Sequence, residues 1–189
     1  MRKVQQALVA FGSNLAISGE NMPKTVSLAG QNISGPGTRV LAMSRLFTSP
    51  SFPSGSGPDY VNAAAVVETD KDPADLLQHL HDIETRFGRV RAERWGPRTL
   101  DLDLLAYGDL VLPDFATQDH WRALPPATQA TLWPDDLILP HPRLQDRAFV
   151  LVPLAEVAPN WRHPRLGLTV LEMLHRLEKS EIAAVTALD

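Results

Sequence analysis

Leucine alternates strictly with polar residues from Thr99 to Leu104, so that Leu100, Leu102 and Leu104 are interleaved with Thr99, Asp101 and Asp103. A period of two marks a strand with one buried and one open face. Both aspartates therefore share the open face, about 6.6 Å apart along the strand. A helix would throw them to opposite sides. Tyr60 to Thr69 has the same period and places Tyr60, Asn62, Ala64 and Val66 on one face. Residues 7–11 are apolar throughout and suit a fully buried strand, which Gly12, Ser13 and Asn14 are expected to end as turn formers. Residues 40–47 suit a further strand.

Helical spacing appears elsewhere. Asp72-Pro73-Ala74-Asp75 combines an N-cap residue, a proline for the first turn and an acid; Leu76, Leu80, Ile83 and Phe87 follow before Gly88 stops the run. A helix beginning near Pro23 takes its apolar side from Val26, Leu28 and Ile33. Thr169 and Glu172 form a capping-box pattern ahead of Val170, Leu171, Leu174 and Leu177, and a short strand can follow Lys179. The order strand, helix, strand, strand, helix, strand implies an α+β fold, a ferredoxin-like split βαβ sandwich with helices packed on a sheet containing antiparallel strands. The aspartate strand is expected at or near its centre.

A chain of 189 residues suits one domain, with an irregular insertion over residues 108–136 that is rich in Trp and Pro and has no lasting period. A net charge of −4 gives no general attraction to nucleic acid or an anionic membrane, so any bound anion must be held by local positive charge. There are no cysteines, which removes disulfides, thiolate metal sites and cysteine nucleophiles. The apolar run after Met1-Arg2-Lys3 is too short for a signal peptide and no run approaches spanning length, so a cytoplasmic protein is expected. A monomer or small homo-oligomer is compatible with this composition.

The chemistry concentrates around the aspartates. Two carboxylates at this spacing can ligate magnesium, or stand as a solvated face; like charges side by side repel unless a cation lies between them. Just upstream, Arg89, Arg91, Arg94 and Arg98 crowd around Trp95, Gly96 and Pro97, a guanidinium-rich run suited to anions. Tyr60 beside Asn62 could stack on and hydrogen-bond a flat heterocycle, with burial of the tyrosine in the core as the competing reading. The segment from Ser49 to Pro58, with Phe52 within it, is either a connector or a loop that closes over a ligand. His81 and Glu84 are neighbours near a helix end, His141 stands between two prolines, and Phe149 lies in an apolar run where core burial competes.

The block Arg94-Trp95-Gly96-Pro97-Arg98-Thr99-Leu100-Asp101-Leu102-Asp103-Leu104 resembles the signature of the hydroxymethyldihydropterin pyrophosphokinases. Phe11-Gly12-Ser13-Asn14, Pro58-Asp59-Tyr60-Val61-Asn62-Ala63, Phe87-Gly88-Arg89-Val90-Arg91 and Pro140-His141-Pro142-Arg143-Leu144 extend the likeness in the same order. The resemblance implies transfer of pyrophosphate from ATP to a pterin alcohol, a step of folate biosynthesis, with two Mg2+ held by Asp101 and Asp103. It implies that Arg89 and Arg98 stabilise the transferring group and that Glu84, Arg91, Arg98, His141 and Arg147 hold ATP. Tyr60 and Phe149 would clamp the pterin, Asn62, Ser49 and Phe52 would line its site, and Trp95 would ride a closing loop. Within residues 108–136 the resemblance assigns no residue. A different magnesium-dependent nucleotidyl- or phosphotransferase, or a non-catalytic ligand-binding module, are the other classes these residues allow.

Overall fold

The computed structural model describes residues 3–16, 21–51, 57–88, 99–125, 128, 131–132 and 134–188. Its centre is an antiparallel sheet of β1 (Gln5–Ser13), β2 (Thr38–Met43), β3 (Phe47–Ser49), β4 (Tyr60–Thr69), β5 (Asp101–Tyr107) and β6 (Thr186–Ala187). The strands lie in the order β5-β1-β4-β3-β6, and β2 also pairs with β4. With α1 (Met22–Ile33) after β1 and α2 (Pro73–Arg86) after β4, this is the ferredoxin-like α+β arrangement.

Three expectations change. β1 does not stop at Phe11 but runs through Gly12 and Ser13, because both remain paired, Gly12 with Asn62 and Asp101, Ser13 with Val61. Residues 40–47 are not one strand. The ladder against β4 is irregular between Val40 and Ala42, and β3 resumes further along the same strand. The aspartate strand is not central: β5 pairs only with β1 among the described strands and forms an edge of the sheet. Its edge is not left bare, since the buried Glu84 of α2 accepts the Leu102 N–H at 2.8 Å.

Alternation divides the side chains of each strand between two cores. On one face Val9 and Phe11 of β1, Ala63 and Ala65 of β4, and Leu102 and Leu104 of β5 pack with Val26, Ala29 and Ile33 of α1 and Leu76, Leu80 and Ile83 of α2. Leu28 is only partly buried, so the apolar side of α1 runs through Ala29 instead. Both helices start as their sequences direct: Asn21 caps Lys24 N and Asp72 caps Asp75 N, each at 2.9 Å. Past the end of α2, Gly88 takes a φ of 74°, which favours glycine.

On the other face Leu8, Ala10, Ala64, Val66 and Leu105 meet Val150, Leu151 and Leu154 of α4 (Ala148–Val157) and Val170 and Met173 of α5 (Val170–Leu174). The capping box of Thr169 and Glu172 is present, but α5 ends at Leu174 and buries Val170 and Met173 rather than Leu171. After α6 (Lys179–Ala183) the chain returns to the sheet as β6 beside β3. Segment 108–136 contains α3 (Phe115–Ala123), capped by Asp114, and its flanks are drawn together by a bridge between Leu112 and Leu139. No helix among the described residues is long and apolar enough to cross a membrane.

Candidate active site

Helix α4 packs on the second face of the sheet. On that face the backbone register lines up Asp101 of β5, Gly12 of β1, Asn62 of β4 and Phe47 of β3, with Asp103, Ala10 and Ala64 in the next row; Gly12 and the two aspartates are half-buried and the others buried. Small residues in the middle and polar ones beside them make up this patch of the sheet. Gly12 is its floor: a Cβ added there would stand 3.9 Å from Asn62 Oδ1, Asp101 Cβ and Tyr60 Cδ1 alike. Side chains suggested for the metal and for the heterocycle thus converge on one glycine. A glycine inside a strand marks such a close approach, whereas Gly12 in the sequence had only the look of a turn former.

Around this floor, Asn62 and Ser49 are buried, and the Asn62 amide donates to Ser49 Oγ at 2.9 Å. That bond orients the carboxamide and leaves its oxygen toward Gly12. Tyr60 is half-buried at the start of β4, so it is not a fully enclosed core residue. Ser13, buried and absent from the expected site, donates to Thr99 O at 2.7 Å and ties β1 to the chain entering β5. Asp101 and Asp103 are both half-buried, while the alternating Leu100, Leu102 and Leu104 are buried. The alternation in the sequence therefore translates directly into geometry.

His141, Arg147 and Phe149 come from the segment leading into α4. His141 N–H donates to Leu105 O at 2.8 Å, hanging this segment on the strand that bears the aspartates. His141 Nδ1 accepts from Arg143 N at 3.1 Å, so the neutral ring carries its proton on Nε2. Burial, with help from Arg147 and against the pull of Asp101, pushes the imidazole down to about 3. Burial also lowers Arg147, opposed chiefly by Asp103. His141 senses Asp101, and Arg147 senses both aspartates. Phe149 is 39% exposed rather than lost in the core, and the Arg147 guanidinium lies 5.7 Å from its ring centre. Glu84, by contrast, is not a surface residue; it is 1% exposed and bound to the β5 backbone.

Phe52, Arg89, Arg91, Trp95 and Arg98 lie outside the described residues. Of the described candidates, Asp101, Asp103, Tyr60, Asn62 and Ser49 meet on this sheet face, His141 and Arg147 are coupled to it by charge, and Glu84 stands behind β5. The oxygen donors of Asp101 and Asp103 suit Mg2+, which takes one or two carboxylates and fills its remaining positions with water and phosphate oxygens. Among the described residues no cluster of three or more His, Cys, Asp or Glu side chains suggests an ion held by protein alone.

A family model described as 7,8-dihydro-6-hydroxymethylpterin-pyrophosphokinase (HPPK) matches residues 8–159. The chain belongs to this family. Curated relatives named 2-amino-4-hydroxy-6-hydroxymethyldihydropteridine pyrophosphokinase include one from Pseudomonas aeruginosa, 40% identical over 85% of this chain and 85% of its own length. Another, from Methylorubrum extorquens, is 35% identical over 95% of this chain and 98% of its own. A third, from Synechocystis sp., is 44% identical over 64% of this chain, and the match spans 52% of that longer protein. Among solved structures, Plasmodium falciparum HPPK-DHPS superposes with a TM-score of 0.66 over 93% of this chain and 44% of its own, at 14% identity, a likeness of fold. The HPPK match runs through β1, the aspartate strand and His141 and ends within the turn after α4.

Proposed function

We propose that this chain transfers the terminal pyrophosphate of ATP to the hydroxymethyl oxygen of 6-hydroxymethyl-7,8-dihydropterin. The observation that carries the reading is the meeting of Asp101, Asn62 and Tyr60 around Gly12, with Asp103 beside them. A nucleotide's phosphates and a flat heterocycle need adjacent places, and the half-buried Asp101 and Asp103 beside Tyr60 and Asn62 supply groups for both. The residues act as one pyrophosphokinase unit with 108–136 as an insertion.

The attacking oxygen of the pterin alcohol forms a bond to the β-phosphorus of ATP and loses its proton. The bond from that phosphorus to the oxygen bridging the α-phosphate breaks, and AMP leaves with the bridging oxygen. Transfers of this kind depend on positioning and charge neutralisation more than on covalent help from protein. Asp101 and Asp103 would hold two Mg2+, which offset the phosphate charge that resists attack. Tyr60 and Phe149 face the pterin ring from its two sides, and the Asn62 carboxamide, aligned by Ser49, reads its edge. Arg147 and the neutral His141, with its Nε2–H as donor, hold phosphate or ribose oxygens. Glu84 sets β5 in place behind them, and Arg89, Arg91, Arg98, Trp95 and Phe52 complete the site from the sequence pattern.

The test is chromatography of products formed from ATP, Mg2+ and 6-hydroxymethyl-7,8-dihydropterin. AMP appearing together with a pterin diphosphate, and only with the metal present, is the expected result. ADP would reassign the chain to simple phosphoryl transfer, and ATP left intact by folded protein would leave a ligand-binding module without this activity.

A further inference from the structure

Helix α3 is anchored in an unusual way. A surface helix ordinarily docks through an apolar stripe, yet the one buried residue of α3 is Gln118, which is 0% exposed. Its amide nitrogen donates to Pro140 O at 3.1 Å. Since a carbonyl only accepts, the atom facing it must be the Gln118 Nε2. The same peptide unit is held at its other end, where His141 N–H donates to Leu105 O at 2.8 Å. The Pro140–His141 peptide is thus clamped between α3 and the aspartate strand, and the His141 ring is then set by its Nδ1 accepting from Arg143 N. With the peptide plane and the ring both fixed, the direction of His141 Nε2–H is determined.

The helix that supplies this clamp is latched in its own right. Asp119 is shared between Arg122 and Arg165, which hold its carboxyl well below the usual range, and Arg165 lies over the Phe115 ring at 4.3 Å. The bridge between Leu112 and Leu139 joins the flanks of the segment next to Pro140. These contacts tie α3 to the loop after α4 and argue against a helix that swings as a lid.

We propose that helix α3 serves the reaction as a fixed buttress, with Gln118 a positioning residue that sets His141, through Pro140, for the nucleotide. The nucleotide role of His141 rests on the pyrophosphokinase reading above; the positioning of its ring does not. Gln118→Met keeps the length and burial and removes the donor. Gln118→Asn keeps the amide but withdraws it by one methylene. Each variant should raise the KM for ATP about five-fold, the scale of one lost buried hydrogen bond, with kcat and the KM for the pterin within about two-fold.

Nitrogen-15 NMR of the ligand-free protein supplies the second measurement. Wild-type His141 should show a single tautomer with Nδ1 unprotonated, and the variants should show its two tautomers exchanging. Folding is followed by thermal unfolding, and the Asn variant carries the test if the Met variant does not fold. An unchanged KM for ATP in a folded variant would overturn the nucleotide half of the proposal, as would a parallel rise in both KM values. An unchanged His141 spectrum would overturn the positioning half. Wild type that makes no AMP would instead sink the pyrophosphokinase reading, leaving the NMR result to judge the clamp alone.

Discussion

The two faces of the sheet are made by the same strands, yet the face toward α1 and α2 is packed, whereas the other is packed against α4 and α5 and half-buried around Gly12 and the two aspartates. Toward α1 and α2, β1 and β5 present Val9, Phe11, Leu102 and Leu104, large side chains in full contact. One residue along in each strand, at the half-buried end of the other face, they present Gly12, Asp101 and Asp103. A packed face tolerates no vacancy, because each missing methylene forfeits contacts that nothing else supplies. The half-buried end around Gly12 needs the reverse, small residues that leave room and charged residues that gain little from the fold. Stability and chemistry are thus separated by a single step in sequence, and that step can be tested.

The sharpest contrast is between neighbours. Asp103→Ala, or Asp101→Ala, should lower kcat/KM by a factor of about 1,000 or more while the melting temperature stays within a few degrees, as steady-state kinetics and calorimetry would reveal. Leu104→Ala, adjacent but on the packed face, should destabilise by about 2–5 kcal/mol in denaturant titration. If both substitutions chiefly unfolded the protein, the division between faces would be wrong.

Glu84 stands at the boundary. If its main task is to satisfy the Leu102 N–H, then Glu84→Ala should cost about 1–3 kcal/mol in chemical denaturation, and Glu84→Gln, which retains a carbonyl acceptor, distinctly less. Equal stability losses in the two variants would point to the charge rather than the hydrogen bond. Gly12→Ala has a smaller and opposite signature. A methyl 3.9 Å from its neighbours fits the folded chain, so stability should hold or rise by roughly 0.5–1 kcal/mol, while the KM for the pterin rises about ten-fold. Normal kinetics in that variant would remove Gly12 from the floor of the site.

Much of this was legible in the alternation itself. The leucine and aspartate faces of β5, the span of β4, the start and end of α2 and the capping box at Thr169 all follow from local rules that the tertiary structure obeys. What stayed hidden depends on contacts between distant residues. The edge position of β5 is a matter of strand order, to which a period of two is blind. Gly12 and Ser13 looked like turn formers because nothing local reveals that Asn62 and Asp101 pair beside them. Nothing local marks Glu84 as buried, because the N–H it accepts from belongs to another element. Gln118 gave no signal, since a glutamine in an irregular polar stretch is ordinary until its burial is seen.

A separate effect concerns acid. His141 and His163 are pushed by burial down to about 3 and about 4, with Arg122 and Arg165 also disfavouring the His163 cation and Asp119 opposing them. An unfolded histidine titrates near 6.5, so the unfolded chain binds more protons than the folded one between about 4 and 6.5. Stability should therefore fall as pH drops through that window, and His163→Gln should flatten part of the slope. A melting temperature constant from pH 6.5 to 4 would contradict it.

The central claim, that the aspartate face of β5 is a magnesium and phosphate surface, is tested most directly by calorimetry. A non-hydrolysable ATP analogue is titrated with and without Mg2+ into wild type and into Asp101→Asn/Asp103→Asn. Binding to wild type that requires the metal, and loss of that requirement together with most of the affinity in the folded double variant, is the predicted result. Equal, magnesium-dependent binding by both proteins would place the metal elsewhere and contradict the account.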